Sequence, residues 1–153
     1  MKRSLLIVFC LLLFGVPLSA QTAAELDALL TAQTVTVSGA ARFVLGAAEL
    51  LPAGNAGTTA ETAAYELALS KGWVRAGAAD EITLRDTAFL IMNAFELKGG
   101  VMYKLLKNPR YAYRELIYRR LIQGRADPAM KVSGERLLQI IGRTLSYAGE
   151  RDE

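Results

Sequence analysis

Apolar positions along this chain recur at helical spacing, and residues that cap or stop helices mark the breaks between them. Thr22-Ala23-Ala24-Glu25 reads as a capping box, in which threonine and glutamate side chains satisfy backbone donors of the first turn; it predicts a helix to about Gln33. Ser38 predicts the cap of a second helix through Leu51, stopped by Pro52-Ala53-Gly54-Asn55. Thr58-Thr59-Ala60-Glu61 is another capping box, opening a helix that ends at Lys71-Gly72. Thr83, with Asp86 three residues on, opens the most apolar helix, which Gly99-Gly100 closes. A short helical turn is expected over residues 101–107. Asn108-Pro109 then supplies a cap and a first-turn proline for a helix to Gln123, closed by Gly124, and Ser133 caps a last helix to about Tyr147. Only residues 34–37 alternate in the manner of a strand, so the pattern predicts an all-α fold.

The helices align with one another. Ser38, Thr83 and Ser133 each follow a β-branched residue, Val37, Ile82 or Val132. Five residues on stand Phe43, Ala88 and Leu138; eight on, Gly46, Ile91 and Ile141; twelve on, Leu50, Phe95 and Leu145. Those offsets describe one helix face. Upstream, Ala64-Tyr65 matches Ala112-Tyr113, and Trp73-Val74 matches Leu121-Ile122. The spacing implies three helix–loop–helix units, near residues 22–51, 59–98 and 109–147. Capped amphipathic helices of an unrepeated protein would also align loosely, which leaves coincidence as the alternative.

The first residues follow a different pattern. Lys2-Arg3, an apolar run over residues 5–14 and Pro17-Leu18-Ser19-Ala20 have the layout of a secretory signal peptide, residues 1–20, with the cut expected at Ala20/Gln21. A lipid-modified Cys10 after Ile7-Val8-Phe9 is the alternative, but it leaves about six residues for the hydrophobic region, shorter than such signals use. The apolar stretch around residues 88–92 is short and punctuated by Asp86, Asn93 and Glu96, so no transmembrane segment is expected in the mature chain. The expectation is an exported protein of the periplasm or cell envelope, with residues 21–153 forming a single all-α domain.

Export changes the chemistry on offer. The mature chain has neither Cys nor His, hence no disulfide, thiol nucleophile, imidazole base or soft metal ligand. Its net charge is +1 rather than the +3 of the whole sequence. What remains is an asymmetry: residues 21–97 sum to −5, residues 98–125 to +7 and residues 126–153 to −1. No nucleophile-elbow, phosphate-loop or Ser-x-x-Lys motif occurs, and the neighbours Ser70 and Lys71 point about 100° apart on a helix. Asp80-Glu81 lacks the alternating carboxylates of a calcium loop and suits the start of a helix instead. The expectation is therefore no catalytic residue, no metal and no cofactor.

Two stretches carry a resemblance. Ala68-Leu69-Ser70-Lys71-Gly72-Trp73-Val74-Arg75-Ala76-Gly77 runs into Glu81-Ile82-Thr83-Leu84-Arg85-Asp86, and Arg120-Leu121-Ile122-Gln123-Gly124 runs into Lys131-Val132-Ser133. A helix ending in glycine and two hydrophobic residues, then a loop, then a hydrophobic residue with threonine or serine opening a second helix, resembles the S-layer homology module. The resemblance covers nearly all of the mature chain. It implies three modules and attachment to an anionic cell-wall polysaccharide or peptidoglycan. The family's isoleucine–threonine–arginine–alanine–glutamate signature is altered here, to Thr83-Leu84-Arg85-Asp86, Ser133-Gly134-Glu135-Arg136 and Ser38-Gly39-Ala40-Ala41. Of the loop preceding it, only Asp127-Pro128 has a counterpart. Thr83 and Ser133 are also accounted for as helix caps.

The basic segment supplies the candidate site. On the helix from Pro109, a core stripe of Tyr113, Leu116, Ile117 and Leu121 leaves Tyr111, Arg114 and Tyr118 along an adjacent stripe, with Arg110 at its end. Arg119 and Glu115 fall on a third side, and Arg120 follows. Aromatic faces beside guanidinium forks suit an anionic sugar or lipid headgroup, so Arg110, Tyr111, Arg114, Tyr118, Arg119 and Arg120 are the expected ligand-binding residues. Packing of the tyrosines against residues 101–107 is the competing account. Lys98, Lys104 and Lys107 would enlarge the patch, Trp73 is expected to plug a helix–loop corner, with stacking on a sugar as the alternative, and Asn93 to be a hydrogen-bonded packing residue. The expected partner is an anionic envelope polymer or headgroup, or another envelope protein, and not nucleic acid.

Overall fold

A computed structural model describes residues 18–51 and 57–152. The leader up to Pro17, with Cys10, and the Pro52-Ala53-Gly54-Asn55 stop lie outside the described residues. Seven helices are described: α1 (Leu18–Thr31), α2 (Val37–Ala47), α3 (Gly57–Ser70), α4 (Leu84–Ala94), α5 (Val101–Leu105), α6 (Pro109–Tyr118) and α7 (Gly134–Asp152). The expected all-α class is what the chain adopts. The expected cut at Ala20/Gln21 falls inside α1, which starts upstream of Thr22 because neither Gly nor Pro interrupts residues 18–22.

The long helices pack in pairs: α2 on α3, α4 on α6, and α7 back on α1. α2 also touches α4 and α7, which puts these three at the centre. Their buried faces hold Val44, Leu45, Leu84, Leu90, Ile91, Leu137 and Ile140, all essentially inaccessible. Each such side chain stabilises the fold by about 1.5–3 kcal/mol relative to exposure, before ordering costs.

The junctions that open α2, α4 and α7 are bonded to one another in a closed ring. Val35 N–H donates to the Val132 carbonyl at 2.9 Å, Val132 N–H to the Ile82 carbonyl at 3.3 Å, and Ile82 N–H to the Val35 carbonyl at 2.9 Å. A second circuit surrounds it: Val37 N–H donates to the Asp80 carbonyl, Leu84 N–H to that of Met130, and Gly134 N–H to that of Ala32. These contacts satisfy buried backbone groups just outside the helices, where no helical partner exists. They form single bridges, Thr36 to Glu81 and Thr83 to Lys131. The β-branched residues 34–37 thus serve the ring rather than a strand.

The ring also shifts one expected boundary. Thr36, not Ser38, caps α2, its hydroxyl accepting from Gly39 N–H at 3.1 Å. Ser38 shares a 3.2 Å hydrogen bond with Thr36. Thr83 and Ser133 cap as expected, accepting from Asp86 N–H and Arg136 N–H. The aligned triplet is therefore Thr36, Thr83 and Ser133, preceded by the three ring residues.

Helix ends differ from expectation for one shared reason. Glu49, Gly72, Glu96 and Arg120 adopt left-handed backbone angles, φ of 56°, 70°, 48° and 59°. The next N–H in each case turns back five residues: Leu50 to Leu45, Trp73 to Ala68, Leu97 to Met92 and Leu121 to Leu116. This closing geometry usually takes glycine, and only Gly72 supplies it. So α4 stops well before Gly99, and α6 stops at Tyr118 rather than at Gln123. α7 instead runs past Tyr147 to Asp152.

Candidate functional site

The turn at Gly72 throws Trp73 out of line with α3, and its half-buried ring packs against the core. The residue also lines two cavities. Lys71 Nζ stands 5.9 Å from its centroid, within reach of a cation–π attraction.

The first cavity, about 480 Å³, gathers residues from distant stretches. Trp73 and Phe89 give it apolar walls. Arg75 comes from the loop after α3, Arg85 from the first turn of α4, and Arg110 from the first turn of α6. Asp86 is the one acid in the lining. It is held by the helix start, accepting from the Thr83 hydroxyl at 2.5 Å, and lies 3.7 Å from Arg85. That ion pair is half-exposed and contributes little stability, so Arg85 remains available to another anion. Aromatic walls and several guanidinium groups in one cavity can hold a sugar face and pair its acid groups with bidentate donors.

The second cavity, about 440 Å³, is lined by Trp73 as well. Lys98, Lys104 and Lys107 line it, with Tyr103, Asn93 and Glu96. Asn93 donates to the Phe89 carbonyl at 2.6 Å and bonds the Tyr103 hydroxyl, so it is a satisfied packing residue as expected. Burial pushes the Tyr103 phenol above its ordinary pKa, with the Asn93 hydrogen bond opposing.

The six expected ligand-binding residues separate. Arg110 reaches the first cavity. Tyr111 is half-buried and packs on the core. Arg114 is exposed, and Tyr118 is 86% exposed. Arg120 is exposed at the left-handed turn closing α6. Arg119 does not belong with the exposed cations. Its side chain is only 15% exposed, it pairs with Glu115 at 2.8 Å, and its guanidinium lies 5.0 Å over the Tyr147 ring. It also donates to the Tyr147 hydroxyl and the Lys98 carbonyl. Arg119 therefore ties α6 to α7 and to the chain entering α5. The sequence places Arg119 and Glu115 together on a third side of the helix, and the two do pair there, which removes Arg119 from the expected ligand-binding set.

Asp80 and Glu81 are similarly engaged, with Gly77 N–H at 2.6 Å and the Thr34 hydroxyl at 2.8 Å. The sequence offers Trp73 two parts, a sugar-stacking ring beside a loop and a corner plug, the second favoured by its alignment with Leu121; in the backbone both N–H groups turn back five residues. Leu121, however, is buried, whereas the larger indole extends into two cavities. Arg75 and Arg85 join it only in the folded chain, and Arg85's place two residues after a helix cap is the one local signal.

Compared with protein-family models, curated proteins and solved structures, the chain matches none.

Proposed function

We propose that this protein is a non-enzymatic binding module of the cell envelope that holds an anionic glycan in the first Trp73 cavity. The observation that carries the reading is the convergence of Arg75, Arg85 and Arg110, from three separate segments, on one cavity walled by Trp73 and Phe89. Three cations outnumber the single acid there, and the indole offers a flat face to a sugar ring. Concavity favours a polymer segment that enters the fold over a flat charged surface. The cyclic bonding of Val35, Ile82 and Val132 supports a further part of the proposal, that three related S-layer-homology-like units build the domain. In this reading the leader delivers the module to the envelope, and ligand recognition moves from the exposed stripe of α6 to its first turn.

The test is co-sedimentation with purified cell walls that retain their acidic polysaccharide. Removing one guanidinium from a bound anion should weaken binding roughly ten- to a hundredfold, and Arg75→Ala, Arg85→Ala and Arg110→Ala should each show this. Trp73→Ala should weaken binding while leaving its salt dependence in place. Binding that survives the triple arginine variant, or walls stripped of acidic polysaccharide binding equally well, would sink the proposal.

A further inference from the structure

α5 carries apolar side chains that nothing in the described fold covers. Val101 is 81% exposed, Leu105 74% and Met102 55%, and Leu106 just after the helix is exposed as well. At 100° per residue, Val101, Leu105 and Met102 fall within one outward arc of about 100°. Tyr103 points the other way and is buried, which pins the helix to the core. The entry to α5 is fixed too, since Gly100 N–H donates to the Glu115 carboxylate at 3.0 Å and Arg119 holds the Lys98 carbonyl. A small protein surface rarely presents so many neighbouring aliphatic side chains without using them.

What surrounds them is positive. Lys98 and Lys107 flank α5 in sequence, Lys104 lies within it, and all three are exposed and line the second cavity. None of the three forms an ion pair among the described residues. Of the nearby acids, Glu115 is engaged by Arg119 and Gly100, and Glu96 shares the cavity lining. Exposed aliphatic side chains on a helix that carries one lysine and is flanked by two more match the boundary of an anionic bilayer, where phosphates lie a few ångströms above acyl chains.

We propose that α5 is a membrane-docking wedge. Val101, Met102 and Leu105 enter the acyl boundary of an anionic bilayer, and Lys98, Lys104 and Lys107 take its headgroup phosphates. This surface is separate from the glycan cavity, and the two can fail independently. The module would thus bridge a lipid surface and a polymer.

The full chain tests this with Cys10→Ser and a nitroxide carried by Leu105→Cys, or in a second sample by Leu26→Cys on α1. Collision of the nitroxide with oxygen and with a water-soluble nickel chelate reports its depth. On vesicles of phosphatidylglycerol and phosphatidylethanolamine, the oxygen-to-nickel ratio should rise severalfold at 105 and stay at its solution value at 26. Replacing all three lysines by alanine should weaken vesicle partitioning about a hundredfold. The glycan-cavity variant Arg85→Ala should leave partitioning unchanged. The proposal is overturned if position 105 keeps its solution ratio, or if position 26 enters the bilayer instead, which would assign docking to the leader. Equal insertion into phosphatidylcholine vesicles would also overturn it. So would immobilisation of the 105 label without vesicles as protein concentration rises, which would assign the face to a second copy.

Discussion

Gly134 and the backbone of Leu29 touch so closely that a Cβ on the glycine would stand 1.6 Å from the Leu29 carbonyl oxygen. This is the contact by which α7 closes on α1, alongside the hydrogen bond from Gly134 N–H to Ala32 at 3.0 Å. The obstacle is backbone, so no side-chain rotation relieves it. Gly134→Ala should cost about 3 kcal/mol in urea unfolding, at the upper end of overpacking penalties. Gly142→Ala, in the same helix with open space around it, should gain up to about 1 kcal/mol. Equal effects of the two substitutions would contradict this closure.

The left-handed helix ends give a second expectation. Glu96 and Arg120 hold angles that cost a residue with a side chain roughly 1 kcal/mol and cost glycine little. Glu96→Gly and Arg120→Gly should each raise the unfolding free energy by about 0.5–1 kcal/mol, offset in part by glycine's freer unfolded chain. Gly72→Ala should lower it by about 1 kcal/mol. The signs, read from denaturation midpoints at constant slope, are the check.

Arg119 and Arg114 are near neighbours in sequence with opposite roles. Arg119 is mostly buried against Glu115, Tyr147 and the Lys98 carbonyl, whereas Arg114 is exposed. Arg119→Ala should destabilise by about 1–2 kcal/mol, between exposed and buried ion pairs, and Arg114→Ala by less than about 0.5 kcal/mol. Neither should weaken wall binding in protein that remains folded. A loss of wall affinity in folded Arg119→Ala would restore it to the ligand site.

Tyr103 predicts the alkaline behaviour. Its folded-state pKa is raised above the ordinary 10.0 by burial, so the folded state keeps its proton after the unfolded chain has released it. Its contribution to stability is complete below pH 10.0 and declines as pH climbs toward the folded value. Unfolding free energy should fall through this alkaline range, and Tyr103→Phe should flatten the fall. An unchanged slope in the phenylalanine variant would show that other groups govern it.

Local signals in the sequence identify the helices because capping residues and 3.6-residue periodicity act within one turn. They cannot choose between Thr36 and Ser38, two hydroxyl residues placed to cap the same helix. Val35's bonds to Val132 and Ile82 make that choice from far along the chain. The same limit applies to the site. Charge counting finds the basic segment, and Arg110 within it, but only the packing of α4 on α6 sets Arg110 beside Arg85 and Trp73. Periodicity sets Arg119 beside Glu115 correctly, but it cannot show that Tyr147 and the Lys98 carbonyl close over its guanidinium. It also runs α6 too far, because it extends a helix until something stops it. The stop here is Arg120, in a conformation that glycine usually takes.

The ring of Val35, Ile82 and Val132 sets a timetable for the chain's birth. Val35 leaves the ribosome early, yet both its ring bonds are made to residues that follow, one of them not synthesised until Val132. Any shorter product lacks the final link, and Val35 N–H and the Ile82 carbonyl are then left without their partners. The ring can thus close only on a nearly finished chain, an order that suits the proposed export, in which a polypeptide is threaded through a narrow channel before it folds.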